Sequence, residues 1–235
     1  MNSSSVPFTK LFDHALLRPD LDVAALEAGC RLAAELGVAS VCIVPHFVAR
    51  ARELLEGSGV LTGTTVGFPH GSQSTRAKLA ETEDALANGA EELDMVVNVG
   101  RVLSLDFEYV RAEIAGILDA AHARGVPVKV IFETGYLEER HKRALAELSA
   151  ELGADWVKTS TGFGPGGATL SDVQLLRSAV PPSIGVKASG GIRRLDQVLE
   201  LLPYVTRIGT SQTHAILEAY RERQANGSFE DARRS

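Results

Sequence analysis

The chain is poor in cysteine and aromatic residues: its 235 residues include two Cys, one Trp, four Tyr and eight Phe. Two cysteines, Cys30 and Cys42, cannot build a disulfide framework, and they fit a reducing compartment. Cys30 reads as a helix residue. Cys42, inside Val41-Cys-Ile-Val, reads as strand core rather than a nucleophile, because nothing near it in sequence lowers its pKa. No apolar run approaches the roughly 18 residues of a membrane span. Residues 1–8 lack the charged-then-apolar pattern of a leader, so a soluble, cytoplasmic chain without a membrane partner is expected. There is no basic stripe either: the net charge is −6 and the arginines are scattered, which argues against a nucleic-acid partner. The six histidines, at positions 14, 46, 70, 122, 141 and 214, form no HxH or HExxH, so neither a metal nor another cofactor is expected. His14, His46 and His70 fall near strand ends, where a packed histidine is the commoner outcome.

Lysine is scarce as well, six against eighteen arginines, and three of the six lie in or beside apolar runs: Lys129, Lys158 and Lys187. Where charge alone is needed arginine would serve, as eighteen arginines here do. A lysine kept in an apolar strand therefore points to an amine that can lose its proton and attack a carbonyl.

With 45% hydrophobic and 23% charged residues, the chain suits one domain with a large core. Helix-like stretches repeatedly end in glycine and feed a short β-branched run: Gly37, Gly89, Gly125 and Gly153 each precede a strand. The expected strands are 11–15, 40–44, 63–68, 93–97, 128–132, 156–158, 184–187 and 207–208. The expected helices are 21–36, 46–56, 75–88, 106–124, 138–152, 170–179, 194–201 and 211–222. Eight strand–helix units without a hairpin signal predict an α/β fold, a single (β/α)8 TIM barrel over 1–222, with a short N-terminal extension and a polar tail at 223–235. An open doubly wound sheet is the main alternative.

In a barrel, reactive groups sit at the C-terminal strand ends, where this reading puts Asp94, Lys158 and Lys187. Gly89 to Asp94 and Gly153 to Lys158 are both five residues, which gives the two side chains the same inward parity. Two lysines at one mouth leave one partly neutral near pH 7, since burial and a neighbouring ammonium both disfavour charge. Lowering a lysine from about 10.4 to about 7–8 costs roughly 4 kcal/mol, hard to explain in a purely structural residue. An Asp94–Lys187 salt bridge without chemistry fits the three residues equally well. Lys129 lies four residues after Gly125, a count that points it toward the helices unless Pro127 shifts the register. A supporting ion pair beside Asp94 inside the barrel is the more easily satisfied role.

The run Gly162-Phe-Gly-Pro-Gly-Gly formally matches a dinucleotide fingerprint, but it follows a sixth strand, and the next strand ends in Lys187 where an acid is needed. A loop packed over another ligand is the better account. The clusters Ser189-Gly-Gly-Ile-Arg193 and Gly209-Thr-Ser211 follow strands seven and eight, where barrels hold phosphate.

Taken together, Asp94-Met-Val-Val-Asn-Val-Gly, Val128-Lys-Val-Ile-Phe-Glu-Thr, Trp156-Val-Lys-Thr-Ser-Thr-Gly, Val186-Lys-Ala-Ser-Gly-Gly-Ile-Arg and Arg207-Ile-Gly-Thr-Ser closely resemble the deoxyribose-phosphate aldolase family. The likeness runs from about Asp13 to Ser211. It implies a metal-free class I aldolase that reversibly cleaves 2-deoxy-D-ribose 5-phosphate to D-glyceraldehyde 3-phosphate and acetaldehyde, in deoxyribonucleotide catabolism. By that resemblance Lys158 forms the Schiff base, Lys187 lowers its pKa and Asp94 serves the proton relay. Gly162, Gly190, Gly191, Arg193, Gly209 and Ser211 fall on the phosphate loops, with Asp13, Lys129 and Cys42 in supporting places. The partners implied are sugar phosphates, aldehydes and further copies of the chain, as a dimer or larger. The chain departs from the family at Ala15, where threonine is usual, and at Gln212-Thr213, where Ser-Gly often stands.

Overall fold

The computed structural model describes residues 7–226. Its strands are β1 (Phe12–Leu16), β2 (Ser40–Ile43), β3 (Leu61–Val66), β4 (Glu92–Val96), β5 (Val128–Ile131), β6 (Trp156–Lys158), β7 (Gly185–Ser189) and β8 (Arg207–Thr210). They pair in sequence order, all parallel, and β8 returns to β1 through Phe12–Ile208, Asp13–Gly209 and His14–Thr210. That last pairing closes a (β/α)8 barrel and excludes the open sheet. The helices are α1 (Val23–Leu36), α2 (Val48–Leu54), α3 (Thr75–Ala87), α4 (Val99–Leu103), α5 (Phe107–His122), α6 (Glu139–Glu151), α7 (Leu170–Ala179), α8 (Leu195–Leu201) and α9 (Thr213–Ala225).

Several helices start where the sequence supplies a side-chain acceptor. Asp22, Ser74, Asp106 and Thr169 each accept a backbone N–H from the first turn of α1, α3, α5 and α7. The short α4, absent from the periodicity reading, begins the same way at Asn98; five residues are too few to show a helical repeat. Helix α9 runs to Ala225, three residues into the stretch read as tail. The rest of that tail, 227–235, and most of the N-terminal extension lie outside the described residues.

The apolar core lies between sheet and helices. Val41, Leu93, Val130, Val157 and Val186 face outward from the strands against Leu26, Ile114, Ile117, Leu145 and Leu176. Alternation then turns every second strand residue into the barrel, and here those positions are unusually polar. Asp13, Glu92, Asp94, Lys129, Lys158, Lys187 and Arg207 are all buried there.

Register explains the one parity the sequence count misread. Asp94 pairs with Lys129 and Lys129 with Trp156, which are the fifth, fourth and third residues after Gly89, Gly125 and Gly153. Each strand is thus displaced by one residue from its neighbour, the stagger of a tilted barrel. Counting from glycine works for strands two apart and inverts for adjacent ones, so Lys129 points inward, its Nζ 2.6 Å from Glu92 and 3.0 Å from Asp94. A second correction concerns depth. Asp94 and Lys187 are mid-strand, and of the three only Lys158 ends its strand.

Outside the barrel, Lys78 on α3 and Glu113 on α5 form a fully buried pair at 2.7 Å. Lys78 also donates to Val96 O at 2.7 Å, and Glu113 accepts from Asn98 N at 2.9 Å, which pins both helices to the end of β4. Lys78→Met alone strands a buried carboxylate and is expected to cost about 3–5 kcal/mol in denaturant unfolding. The double change with Glu113→Leu is expected to recover at least half of that loss.

Candidate active site

Asp94 is the hub. Its Oδ2 accepts from Lys158 Nζ at 2.6 Å and from Lys187 Nζ at 2.6 Å, while Oδ1 lies 3.0 Å from Lys129 Nζ. Lys187 also pairs with Asp13 at 2.6 Å. Arg207 extends the network, 2.5 Å from Asp13 and 3.1 Å from Glu92. The residues singled out as nucleophile, tuning charge and relay are therefore brought into direct contact, and Asp13 and Lys129 join them. The Asp94–Lys187 salt bridge exists too, as part of the same cluster.

Among the described residues three carboxylates here face four basic groups, so full ionisation leaves one uncompensated cation in a buried interior. The environment selects which base gives way. Burial pushes Lys158 below the ordinary lysine range; Asp94 opposes this and the Lys187 ammonium adds to it. Burial also works against Lys187, but Asp13 and Asp94 outweigh it and hold that ammonium above its usual range. Lys129 is held far higher, against burial, by Asp94, Glu92 and Asp13. Asp94 is buried, yet its three lysines keep its carboxyl well below the usual carboxylate range. An amine whose proton is held less tightly than usual, beside a fixed anion, suits carbonyl addition. Cys42 faces the same interior, and burial pushes its thiol up to about 11, so it stays protonated at neutral pH.

Above the cluster lies a cleft of about 450 Å³. Gly162, Gly190, Gly191, Arg193, Gly209 and Ser211 all line it, together with His14 and Ala15. The lysines do not form its wall; Gly209 makes the connection. A Cβ there would lie 2.9 Å from Ser189 Cβ and 3.1 Å from Lys187 Cε, so glycine leaves the space beside Lys187 open. Gly190, at φ 92°, packs against Gly167 Cα and Ser160 Cβ, which brings the loops after β6 and β7 together. Thr210 donates to Ile192 O at 2.7 Å and accepts from Gln212 N at 3.0 Å, tying the loops after β7 and β8. The Arg193 side chain is exposed at this rim, whereas Arg18 is paired with Asp20. Glycine-rich backbone, one guanidinium and the Ser211 hydroxyl give this cleft the donor chemistry that suits an anion. His14 adds no charge, because burial lowers its pKa to about 4, and its Nδ1 is engaged with Thr213 Oγ1 at 3.1 Å.

Three residues of the site escaped the sequence reading. Glu92 stands two before Asp94 on the same face of β4, a signal that strand alternation carries. Arg207 opens β8 and showed no distinguishing sign. Glu133, just after β5, is buried with a left-handed backbone at φ 55°, which no sequence pattern announces. Its carboxylate accepts from Thr161 Oγ1 and from Thr161 N at 3.3 Å, and Thr161 Oγ1 accepts from Phe163 N at 3.0 Å. Glu133 thereby shapes the turn that presents Gly162. Glu133→Ala is expected to weaken inorganic phosphate binding to the cleft by about tenfold, roughly 1.4 kcal/mol, measured by calorimetric titration, with cooperative unfolding retained.

The model of the DeoC/LacD family aldolases matches residues 8–204. A deoxyribose-phosphate aldolase from Rhodopirellula baltica is 47% identical over 210 residues, covering 89% of this chain and 87% of that one. Another, from Clostridium perfringens, is 47% identical over 210 residues, covering 89% and 93%. The tetrameric deoxyribose phosphate aldolase of Aeropyrum pernix superposes with a TM-score of 0.84 at 33% identity, over 91% of this chain and 90% of its own. With this barrel, this lysine cluster and these relatives, the chain belongs to the DeoC/LacD aldolase family.

Proposed function

We propose that the protein is a class I deoxyribose-phosphate aldolase, cleaving 2-deoxy-D-ribose 5-phosphate reversibly to D-glyceraldehyde 3-phosphate and acetaldehyde. The observation that carries this reading is Asp94 Oδ2 shared by Lys158 and Lys187 in a cluster with one cation too many. The relatives' names supply the substrate.

In this reading the neutral Lys158 amine adds to C1 of the open-chain sugar, and loss of water leaves a protonated imine. The imine is an electron sink. Removal of the C3 hydroxyl proton breaks C2–C3 and releases glyceraldehyde 3-phosphate, the bonding pair becoming the enamine. Protonation at C2 and hydrolysis then release acetaldehyde and restore the amine. Asp94, held anionic throughout, steers protons through water and stabilises the positive imine more than it stores a proton itself. Gly162, Gly190, Gly191, Arg193, Gly209 and Ser211 hold the phosphate, and Asp13 and Lys129 keep Asp94 and Lys187 in place. Ala15 lines the cleft without a hydroxyl, which leaves more of the grip to the phosphate loops.

The reading extends to a cytoplasmic homo-oligomer. The tetrameric Aeropyrum pernix relative supports association, and among the described residues no helix is long and apolar enough to cross a membrane.

Borohydride added with substrate is expected to label Lys158, and Lys158→Arg to lower turnover about a thousandfold; labelling at another lysine, or none, contradicts the assignment. Removing Lys187 leaves Asp94 closer to sole partnership with Lys158, whose pKa then rises. Lys187→Met is therefore expected to lose roughly 100-fold in kcat/KM near pH 7 and to recover part of it at alkaline pH. Acetaldehyde release followed against pH measures both. A chelator is expected to change neither rate.

A further inference from the structure

The ion pairs inside the barrel continue past the residues placed at the imine. Arg207 and Glu92 are the first residues of β8 and β4, at the pole opposite the mouth. Arg207 holds Glu92 at 3.1 Å and Asp13 at 2.5 Å, with its guanidinium 5.1 Å from the centre of the Trp156 ring. From there two routes lead to the nucleophile. Glu92 meets Lys129 at 2.6 Å and Lys129 meets Asp94 at 3.0 Å; Asp13 meets Lys187 at 2.6 Å and Lys187 meets Asp94 at 2.6 Å. Both routes end on the carboxylate that holds Lys158 at 2.6 Å.

We infer that Glu92 and Arg207 are positioning residues that set, from the far pole of the barrel, how readily Lys158 sheds its proton to become the nucleophile. This rests on the Schiff-base role proposed for Lys158. The ionisable groups sharing this interior are Asp13 from β1, Cys42 from β2, Glu92 and Asp94 from β4, Lys129 from β5, Lys158 from β6, Lys187 from β7 and Arg207 from β8; β3 contributes none. Water and mobile ions screen such a cluster poorly, so a charge removed at one end is felt at the other. Cys42 stays neutral at working pH, which leaves the balance of three carboxylates against four bases as the controlling quantity.

The two residues act with opposite sign. Glu92→Gln deletes an anion, so the remaining cations repel more strongly and Lys158 deprotonates at lower pH. Arg207→Met deletes a cation and brings the cluster to three carboxylates against three bases, so Lys158 keeps its proton to higher pH. A residue that merely plugs the barrel floor would alter unfolding midpoints and leave this titration alone.

The test is the pH dependence of cyanoborohydride trapping of acetaldehyde on Lys158, quantified by peptide mass spectrometry in wild type, Glu92→Gln, Arg207→Met and Arg207→Lys. The trapping midpoint is expected to fall by about one pH unit in Glu92→Gln, to rise by about one unit in Arg207→Met, and to stay at the wild-type value in Arg207→Lys. If Arg207→Met does not fold, the downward shift in Glu92→Gln carries the test. A Glu92→Gln midpoint that is unchanged or raised overturns the inference. Absence of trapping at Lys158 in wild type overturns the Schiff-base reading itself, and with it this extension.

Discussion

One carboxylate, Asp94, shared among three lysine side chains buried in the barrel, is the constraint on which the rest of the structure turns. A lone buried aspartate would be protonated, and three lone buried lysines would be neutral or would unfold the barrel. Together with Asp13, Glu92 and Arg207 they come within one charge of balance. That single excess falls on Lys158, which ends its strand and, among the described residues, has Asp94 as its only carboxylate partner, and burial holds its pKa below the ordinary lysine range.

The surrounding protein keeps this arrangement rigid and reachable. The apolar layer between strands and helices fixes the register, and register decides which side chains meet. On the mouth side, backbone approach replaces side-chain bulk: Gly190 allows neighbouring loops to touch, and Gly209 leaves room beside Lys187. Glu133 and Thr210 then lock those loops with hydrogen bonds, so the glycine-rich cleft is held by the turns that follow the lysine-bearing strands.

The fold was legible because glycine-terminated helices alternate with short apolar strands, a pattern that in a chain of this length admits few topologies besides a barrel. The shared inward facing of Asp94 and Lys158 was legible for a narrower reason. Both lie five residues after a helix-ending glycine, on strands two apart, where the one-residue stagger per strand preserves parity. For Lys129 the same stagger inverts the count, and that information resides in closure of the sheet, not in the local sequence. Depth was misread for Lys187 because β7 runs on to Ser189, past the expected end at 187; Asp94 stood second in its expected strand, 93–97, so its mid-strand depth was already implied by that span. Glu92 was within reach of strand alternation, whereas the left-handed backbone of Glu133 is a tertiary outcome with no local signature.

One lysine of this chain, Lys158, gives up its proton below the ordinary lysine range while its neighbours Lys129 and Lys187 are held above it. The chain has only six lysines, so lysine-selective isotope labelling resolves each side chain by NMR as pH is varied. One signal, absent from the Lys158→Arg variant, is expected to titrate below the ordinary lysine value of about 10.4, with Lys129 and Lys187 charged throughout that transition. A Lys158 signal that stays ammonium up to the ordinary lysine range, or a Lys187 signal that titrates first, would contradict it.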